Sequence, residues 1–333
     1  MSQPIAVLGS GSWGTAIAVH LAGEGHTVRL WARNADLARE LLARRENVAY
    51  LPGFTFPSPL STTHDIADAV DGAAFIVMTV PSHGLRAVAR AAAPFVASDG
   101  VVVSAAKGLE GGSLLRMSEV IQAALPGGQA VVALSGPSFA VELARQLPTA
   151  MVAASTSSNA VERVQAHFRS PALRLYGSAD VVGVELGGAL KNVIAIAAGV
   201  VEGLGLGHNA LAALITRGLA ELSRLAVGLG AQRDTMSGLA GLGDLVLTCT
   251  GSLSRNRQVG IELAKGRSVE EIVSHMKMVA EGVRTTEAAL ALGARHSIEL
   301  PIAAQVAEVL AGRTDPLSAI RELMGRRQKL EHA

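Results

Sequence analysis

Ile5-Ala6-Val7-Leu8-Gly9-Ser10-Gly11-Ser12-Trp13-Gly14 is the stretch that decides the fold. Four apolar residues in succession read as a short strand buried on both faces. The G-x-G-x-x-G run after it lets the backbone turn sharply into a helix, Thr15–Ala22, which Gly23 and Gly25 end. Thr27-Val28-Arg29-Leu30-Trp31 reads as a second strand. A strand, glycine turn, helix and strand within about thirty residues form a unit whose helix N-terminus offers free N–H groups to a pyrophosphate. A glycine-rich turn alone says little. At the head of such a unit, Gly9, Gly11 and Gly14 predict a dinucleotide site.

The end of the second strand bears on which dinucleotide. A site for NAD usually places an acidic residue there, against the ribose 2′-hydroxyl. Here the strand ends Trp31-Ala32-Arg33-Asn34, and no carboxylate comes before Asp36. Arg33 would face a 2′-phosphate, so NADP(H) is favoured and NAD(H) remains possible; the plainer alternative is a solvated loop arginine.

The alternation continues. Phe75–Val80, Val101–Ala106 and Ala130–Leu134 read as buried strands, and Thr149–Ala154 and Leu173–Tyr176 as further strands at the sheet edge. Ligands of a doubly wound sheet lie beyond the carboxyl ends of its strands. Pro81-Ser82, Lys107 and Gly136-Pro137-Ser138 are therefore expected at the cofactor cleft. The proline-bearing segment Asn47–Leu60 reads as an irregular loop near the adenosine end.

From about Val184 the pattern turns helical. Leu211, Leu214, Ile215, Leu219, Leu222, Leu225 and Leu229 recur at spacings of three and four. The division expected is residues 1–183, a Rossmann-type α/β domain with a doubly wound sheet, and residues 184–333, an all-α domain. Val184-Glu185-Leu186-Gly187-Gly188-Ala189-Leu190-Lys191-Asn192 opens the second part. On a helix, Gly187, Gly188, Ala195 and Ala198 share the face of Lys191, so one ammonium stands among small residues. Glycine inside a helix costs about 1 kcal/mol against alanine, which implies close approach by a ligand or another backbone. The reading taken is that the glycine pair leaves room for a substrate carbon; tight helix packing with a snorkelling lysine is the alternative.

Two polar clusters interrupt the helical part. Asp244, after Gly238-Leu239-Ala240-Gly241-Leu242-Gly243, sits where an N-cap would. Ser254-Arg255-Asn256-Arg257 offers a hydroxyl, an amide and guanidinium groups, the donors an anionic oxygen needs. Glu281 precedes a helix expected to be capped near Thr285 or Thr286, and Arg321–Ala333 reads as a terminal helix. Cys249 reads as a buried small hydrophobe.

Composition narrows the function classes. The 333 residues are 49% hydrophobic and 17% charged, with a formal net charge of +1 and one cysteine. That is a globular chain long enough for two cores. The near-zero charge, with no run of one sign, argues against nucleic acid or an anionic membrane as the main partner. One cysteine excludes an intrachain disulfide, and no histidine pair has zinc-ligand spacing. Met1-Ser2-Gln3-Pro4 lacks the basic and apolar regions of a signal peptide, and stretches such as Val193–Val201 look too short or too broken to span a bilayer. A cytoplasmic protein with no membrane insertion is expected.

A nicotinamide site joined to a helical region with a buried lysine points to hydride transfer. An alcohol oxidised to a ketone loses a proton as the hydride leaves. A desolvated Lys191 near a second cation, Lys107, would have a lowered pKa and could serve as that base.

Gly9–Gly14, Lys107-Gly108-Leu109, Ser135-Gly136-Pro137-Ser138-Phe139-Ala140, Gly187–Asn192, Gly241-Leu242-Gly243-Asp244 and Ser254–Arg257 occur in this order. Together they closely resemble the bacterial NAD(P)-dependent glycerol-3-phosphate dehydrogenases, over essentially the whole chain. The resemblance implies interconversion of sn-glycerol 3-phosphate and dihydroxyacetone phosphate, a small phosphorylated three-carbon pair, in support of phospholipid synthesis. It implies a C-terminal domain like that of 6-phosphogluconate dehydrogenase, and a homodimer. It makes Lys191 the proton acceptor and puts Lys107, Gly136, Ser138, Asp244, Ser254, Arg255 and Asn256 on the substrate. Ser12, Trp13, Arg33, Lys107, Ala140, Arg255, Val279 and Glu281 would contact the cofactor. Two other readings are weaker. A β-hydroxyacid dehydrogenase would carry asparagine one turn after the lysine, where this chain has Ala195. A non-catalytic dinucleotide sensor would leave Lys191, Asp244 and Ser254–Asn256 without a role.

Overall fold

The computed structural model describes residues 4–125, 127–276, 280–328 and 330. The first part alternates strands and helices: β1 Ile5–Leu8, α1 Ser12–Gly23, β2 Val28–Trp31, α2 Ala35–Arg44, a hairpin of β3 Glu46–Asn47 and β4 Leu51–Thr55, then β5 Leu60–Thr63, α3 Ile66–Val70 and β6 Phe75–Met78. After a 3₁₀ turn, Ser82–Gly84, come α4 Leu85–Ala92, β7 Val101–Ser104, α5 Met117–Gln122, β8 Val131–Ser135, α6 Ala140–Ala144, β9 Thr149–Ala154, α7 Ser158–Phe168 and β10 Leu173–Ser178. Eight strands form one sheet in the order β10-β9-β8-β7-β6-β1-β2-β5. The chain starts in the middle at β1, winds outward through β2 and β5, then returns to β6 and winds the other way. The reversal between β1 and β6 leaves the crevice where such sheets bind ligands.

Alternate side chains go to opposite faces of the sheet. Ile5, Val7, Val28, Leu30, Phe75 and Val77 enter one core; Ala6, Leu8, Trp31, Ile76 and Met78 enter the other. Both faces are covered, which is why these strands read as unbroken apolar runs. One sequence expectation needs correction. The segment expected to be an irregular loop, Asn47–Leu60, contains β4, pairs part of itself against β3, and runs into β5, which pairs in parallel with β2. The sheet is mixed towards one end: β9 runs antiparallel to β8, with β10 parallel to β9.

The second part is helical: α8 Val181–Gly203, α9 Gly207–Gly228, α10 Arg233–Ser237, α11 Asp244–Thr250, α12 Arg255–Ala264, α13 Val269–His275, α14 Glu281–Arg295, α15 Pro301–Leu310 and α16 Pro316–Gly325. All described strands precede it. The terminal helix ends at Gly325, earlier than expected; Lys329 and residues 331–333 lie outside the described residues.

Helix α8 organises this half. Asp180 caps it, accepting from the N–H groups of Gly183 and Gln232 at 2.8 and 2.9 Å. It has 23 residues, and an 18-residue window of it has mean hydropathy 1.6, long and apolar enough by length and composition to cross a membrane, contrary to the expectation from its fragments; yet 83% of that window is buried inside the protein. It is the core helix, enclosed by α9, α11, α12 and α14 and by the sheet edge, where Val184 joins Ala133, Ala154 and Ala240 in a small cluster. Glu185, near its start, accepts from the Ser118 N–H, the Ser118 hydroxyl and Arg116 at 2.6–2.7 Å, tying it to α5.

The α8 glycines are contact points. A Cβ on Gly187 would lie 2.5 Å from the Ala240 carbonyl oxygen, and one on Gly188 2.4 Å from Ser135 Oγ. The space beside them is thus filled by protein, which corrects the expectation of room for a substrate carbon there. Further along, a Cβ on Gly199 would lie 1.9 Å from the Arg257 carbonyl oxygen, and one on Gly260 1.9 Å from that of Ile196. Helices α8 and α12 cross glycine on glycine, with neither free to yield. Overpacking of this kind typically costs about 1–3 kcal/mol. Gly199→Ala should accordingly lose about 2 kcal/mol or more of unfolding free energy in urea titration, and an unchanged midpoint would contradict the crossing described.

Candidate active site

The crevice between β1 and β6 is built by the glycine turn. Gly9 adopts a φ of +122°, and a Cβ there would lie 2.8 Å from Thr79 Oγ1. Gly14 sits against the Gly9 carbonyl, its Cβ position 1.9 Å away, so α1 can approach the strand only without a side chain there. Gly11 differs: among the described residues, nothing beyond its own chain neighbours lies within 4 Å of its Cβ position. It is also the N-cap of α1 and makes no side-chain cap hydrogen bond. An open glycine before an uncapped helix N-terminus is a cradle for an anion such as a pyrophosphate. Trp13 adds an indole N–H that is buried and has no hydrogen-bond partner among the described residues. The residues present fit a dinucleotide.

The hairpin braces this turn. Asn47, fully buried, donates to the Ser10 carbonyl at 2.9 Å and to Thr15 Oγ1 at 2.8 Å, while the Ser12 hydroxyl donates to the Tyr50 carbonyl at 2.5 Å. Arg33 is exposed just beyond β2 and makes no hydrogen bond or ion pair among the described residues. Asn34 caps α2 by accepting from the N–H groups of Asp36 and Leu37 at 2.8 and 3.0 Å. Asp36, the first carboxylate after Arg33 in the sequence, is paired with Arg39.

Across the crevice a buried charge cluster joins the two halves of the chain. Lys107 extends from the loop after β7, Lys191 from α8 and Asp244 from the first turn of α11. Asp244 is 1% exposed and Lys191 6%. Lys191 Nζ donates to Asp244 Oδ1 at 2.5 Å and to Thr248 Oγ1 at 2.6 Å. Lys107 Nζ donates to Asp244 Oδ2 at 2.6 Å and to the Gly136 carbonyl at 2.9 Å. One carboxylate thus bridges two ammoniums, and the cluster keeps one net positive charge. Each ammonium has three donors and uses two, leaving one apiece for an incoming oxygen. Burial pulls the Lys191 ammonium down to about 8; Asp244 opposes this and Lys107 adds to it. Asp244 therefore does not cap its helix, as its position suggested. Gly243 precedes it in a π turn, Leu239–Gly243, and the carboxylate faces the lysines.

Thr248, one turn after Asp244, carried no expectation. Its hydroxyl donates to the Asp244 carbonyl at 2.6 Å and accepts from Lys191, fixing the direction of the ammonium. The i, i+4 spacing from Asp244 was the available signal. Cys249 beside it is fully buried, its thiol pushed up to about 12 by burial.

The remaining expected residues surround this cluster. Gly136 has a φ of +137°, and the Ser138 hydroxyl donates to its carbonyl at 3.0 Å. Ala140 starts α6, which lies against α1. Ser254 caps α12, accepting from the Arg257 N–H. Arg255 begins that helix with an exposed side chain, whereas Arg257 turns aside to Glu202. Asn256 is used as a tie: its Nδ2 donates to Asn192 Oδ1 at 2.9 Å and its Oδ1 accepts from the Gly282 N–H at 2.9 Å. Glu281 is the first residue of α14, earlier than the threonine caps expected. Thr285 and Thr286 are instead buried within the helix. The Glu281 carboxylate accepts from Ser82. Val279 lies outside the described residues.

Comparison with known proteins agrees with this geometry. Residues 4–161 match the family model described as NAD-dependent glycerol-3-phosphate dehydrogenase N-terminus, and residues 180–321 the corresponding C-terminus. The chain is 50% identical over 333 residues to glycerol-3-phosphate dehydrogenase [NAD(P)+] of Citrifermentans bemidjiense, covering 99% of each. It is 51% identical to the enzyme of that name from Acidobacterium capsulatum, covering 97% of this chain and 98% of the other. The crystal structure of the Coxiella burnetii glycerol-3-phosphate dehydrogenase superposes with a TM-score of 0.94 at 41% identity, over 98% of this chain and 99% of that one. A parallel-sheet nucleotide fold joined to a helical half, a buried lysine–aspartate–lysine cluster between them, and matches over nearly the whole length place this chain in the NAD-dependent glycerol-3-phosphate dehydrogenase family.

Proposed function

We propose that the chain interconverts sn-glycerol 3-phosphate and dihydroxyacetone phosphate with NAD(H) or NADP(H). The observation that carries the reading is the Lys107–Asp244–Lys191 cluster at the carboxyl edge of the sheet, which retains one net positive charge and two free ammonium donors. When bound, the nicotinamide supplies or accepts the hydride. The remaining chemistry belongs to the protein. Lys191, neutral, takes the proton of the substrate hydroxyl during oxidation; charged, it returns that proton to the carbonyl oxygen during reduction. A pKa of about 8 leaves both forms accessible near neutrality. Asp244 and Thr248 fix the lysine's direction. Lys107 stabilises the oxygen as charge develops on it.

The other roles follow the motif resemblance. Gly136, Ser138, Ser254, Arg255 and Asn256 hold the substrate, with Arg255 on its phosphate. Gly9, Gly11, Ser12, Trp13, Gly14, Arg33, Lys107, Ala140, Arg255, Val279 and Glu281 hold the cofactor. Residues 1–183 form the dinucleotide domain and residues 184–333 the substrate domain. The exposed, unengaged Arg33, with the next carboxylate in the sequence already paired, supports a preference for NADP(H). A homodimer, a cytoplasmic location and a supply of glycerol 3-phosphate to phospholipid synthesis come with the family resemblance.

Mixing the protein with NADPH and dihydroxyacetone phosphate should consume NADPH absorbance. Lys191→Ala should slow that turnover by about 10²–10⁴-fold with NADPH binding nearly intact; a near-normal kcat would remove the lysine from the chemistry.

The pH dependence has a definite sign. Reduction needs the ammonium, so its kcat should fall as pH rises through about 8, while oxidation should rise over the same range. Asp244 holds the ammonium up, so Asp244→Asn should move both limbs to lower pH. Limbs that stay in place, or move upward, would contradict this electrostatic account.

Arg33→Asp should shift preference toward NADH. An unchanged ratio of kcat/KM for the two cofactors would separate Arg33 from the 2′-phosphate.

A further inference from the structure

We infer that Ser82 is a positioning residue for the cofactor, because it latches the Glu281 carboxylate of the helical half onto the loop after β6. The functional meaning of this latch rests on the dehydrogenase reading above, whereas the latch itself is a direct contact in the structure.

Ser82 follows Pro81 at the carboxyl edge of β6, beside the crevice, and is buried. Its N–H donates to Glu281 Oε1 at 3.0 Å and its hydroxyl to Oε2 at 2.6 Å. The two residues are 199 positions apart in the chain. Hydrogen bonds to a carboxylate are among the stronger kind. Each oxygen takes one donor from Ser82, so the carboxylate keeps acceptor sites for others. A nicotinamide nucleoside carries such donors on its ribose hydroxyls and its carboxamide.

Three neighbours show that this placement is built. Gly108, directly after Lys107, has its Cβ position 2.8 Å from Ser82 Cβ and 3.4 Å from Glu281 Oε2, so a side chain there would press the latch apart. Gly282 is held by Asn256, which is held by Asn192, the residue after Lys191. The latch is thereby continuous with the helix that carries the base. Among the described residues, Arg255 is a cation close enough to Glu281 for the two charges to interact. Released from Ser82, the carboxylate would turn to Arg255 and neutralise it. Ser82 thus keeps the acid available to the cofactor and the arginine available to the substrate phosphate.

The test is Ser82→Ala in the full-length enzyme. The Kd for NADPH and the KM for dihydroxyacetone phosphate should each rise about tenfold or more, the scale of a lost hydrogen bond to a charged group. The loss should fall on KM more than on kcat, and the pH limb set by Lys191 should not move. Adding Glu281→Gln should restore the KM for dihydroxyacetone phosphate, since no carboxylate is left to capture Arg255, without restoring NADPH affinity. Should Ser82→Ala fold poorly, Gly108→Ala pushes the same latch apart with both partners intact and should give the same split. Hydrogen exchange in the first turn of α14 of the ligand-free protein reads the latch without any substrate, and it should quicken in either variant. Unaltered exchange together with unaltered NADPH and substrate constants would overturn the inference. A wild-type protein that neither binds NADPH nor reduces dihydroxyacetone phosphate would instead overturn the parent reading, and the exchange measurement would still decide whether the latch exists.

Discussion

A single buried carboxylate between two ammoniums is the constraint on which the site depends. At 1% exposure the Asp244 carboxylate needs partners, since an isolated buried charge is expensive. Its partners come from different places: one from the loop after β7, the other from the middle of α8. The cluster therefore fixes the sheet half and the helical half in one relation while bringing Lys107, Lys191 and Asp244 together. Buried ion pairs are weak contributors to stability compared with apolar packing. Retaining three charges here makes more sense as chemistry, because the excess positive charge and the lowered lysine pKa are what an oxyanion and a proton transfer require.

The second constraint is steric. Helix α8 carries Lys191 but is itself positioned by absence of side chains. Gly187 and Gly188 bring it against the π turn and the end of β8, and Gly199 brings it against α12. These contacts set the depth at which the ammonium emerges. The π turn before Asp244 then sets the carboxylate's height on the facing wall. The precision of the pair thus comes from backbone packed on backbone, where few rotamers exist to blur it.

Much of this was legible in the residues. Unbroken apolar runs located β1, β6, β7 and β8 because both sheet faces are covered, and the glycine turn located the crevice. Lys107, Lys191 and Asp244 stood out as charged residues at strand ends or among small neighbours. Other features were hidden for physical reasons. Strand β5, Leu-Ser-Thr-Thr, lies at the sheet edge and has only one well-buried side chain, so its hydrophobic signal is faint. The role of the α8 glycines could not be separated from ligand space, since a helix carries no mark of which neighbour fills a gap. Ser82 was expected at the cleft and Thr248 lies one turn from Asp244, yet their bonds to Glu281 and Lys191, like the Asn192–Asn256 tie, span 199, 57 and 64 positions, and nothing local encodes such long-range partners.

The burial of α8 has a consequence for biosynthesis. Its apolar surface is covered by α9, α11, α12 and α14, all of which lie downstream in the chain. From the end of α8 at Gly203 to the end of α14 at Arg295 is about ninety residues. At ribosomal elongation rates this leaves a helix of membrane-like composition bare for roughly 5–20 s on the nascent chain. The sheet half can fold during that interval, but Lys191 stays attached to an exposed hydrophobic segment until nearly the whole protein has emerged. This interval is when chaperones, or a mistaken encounter with the membrane insertion machinery, would act on the chain.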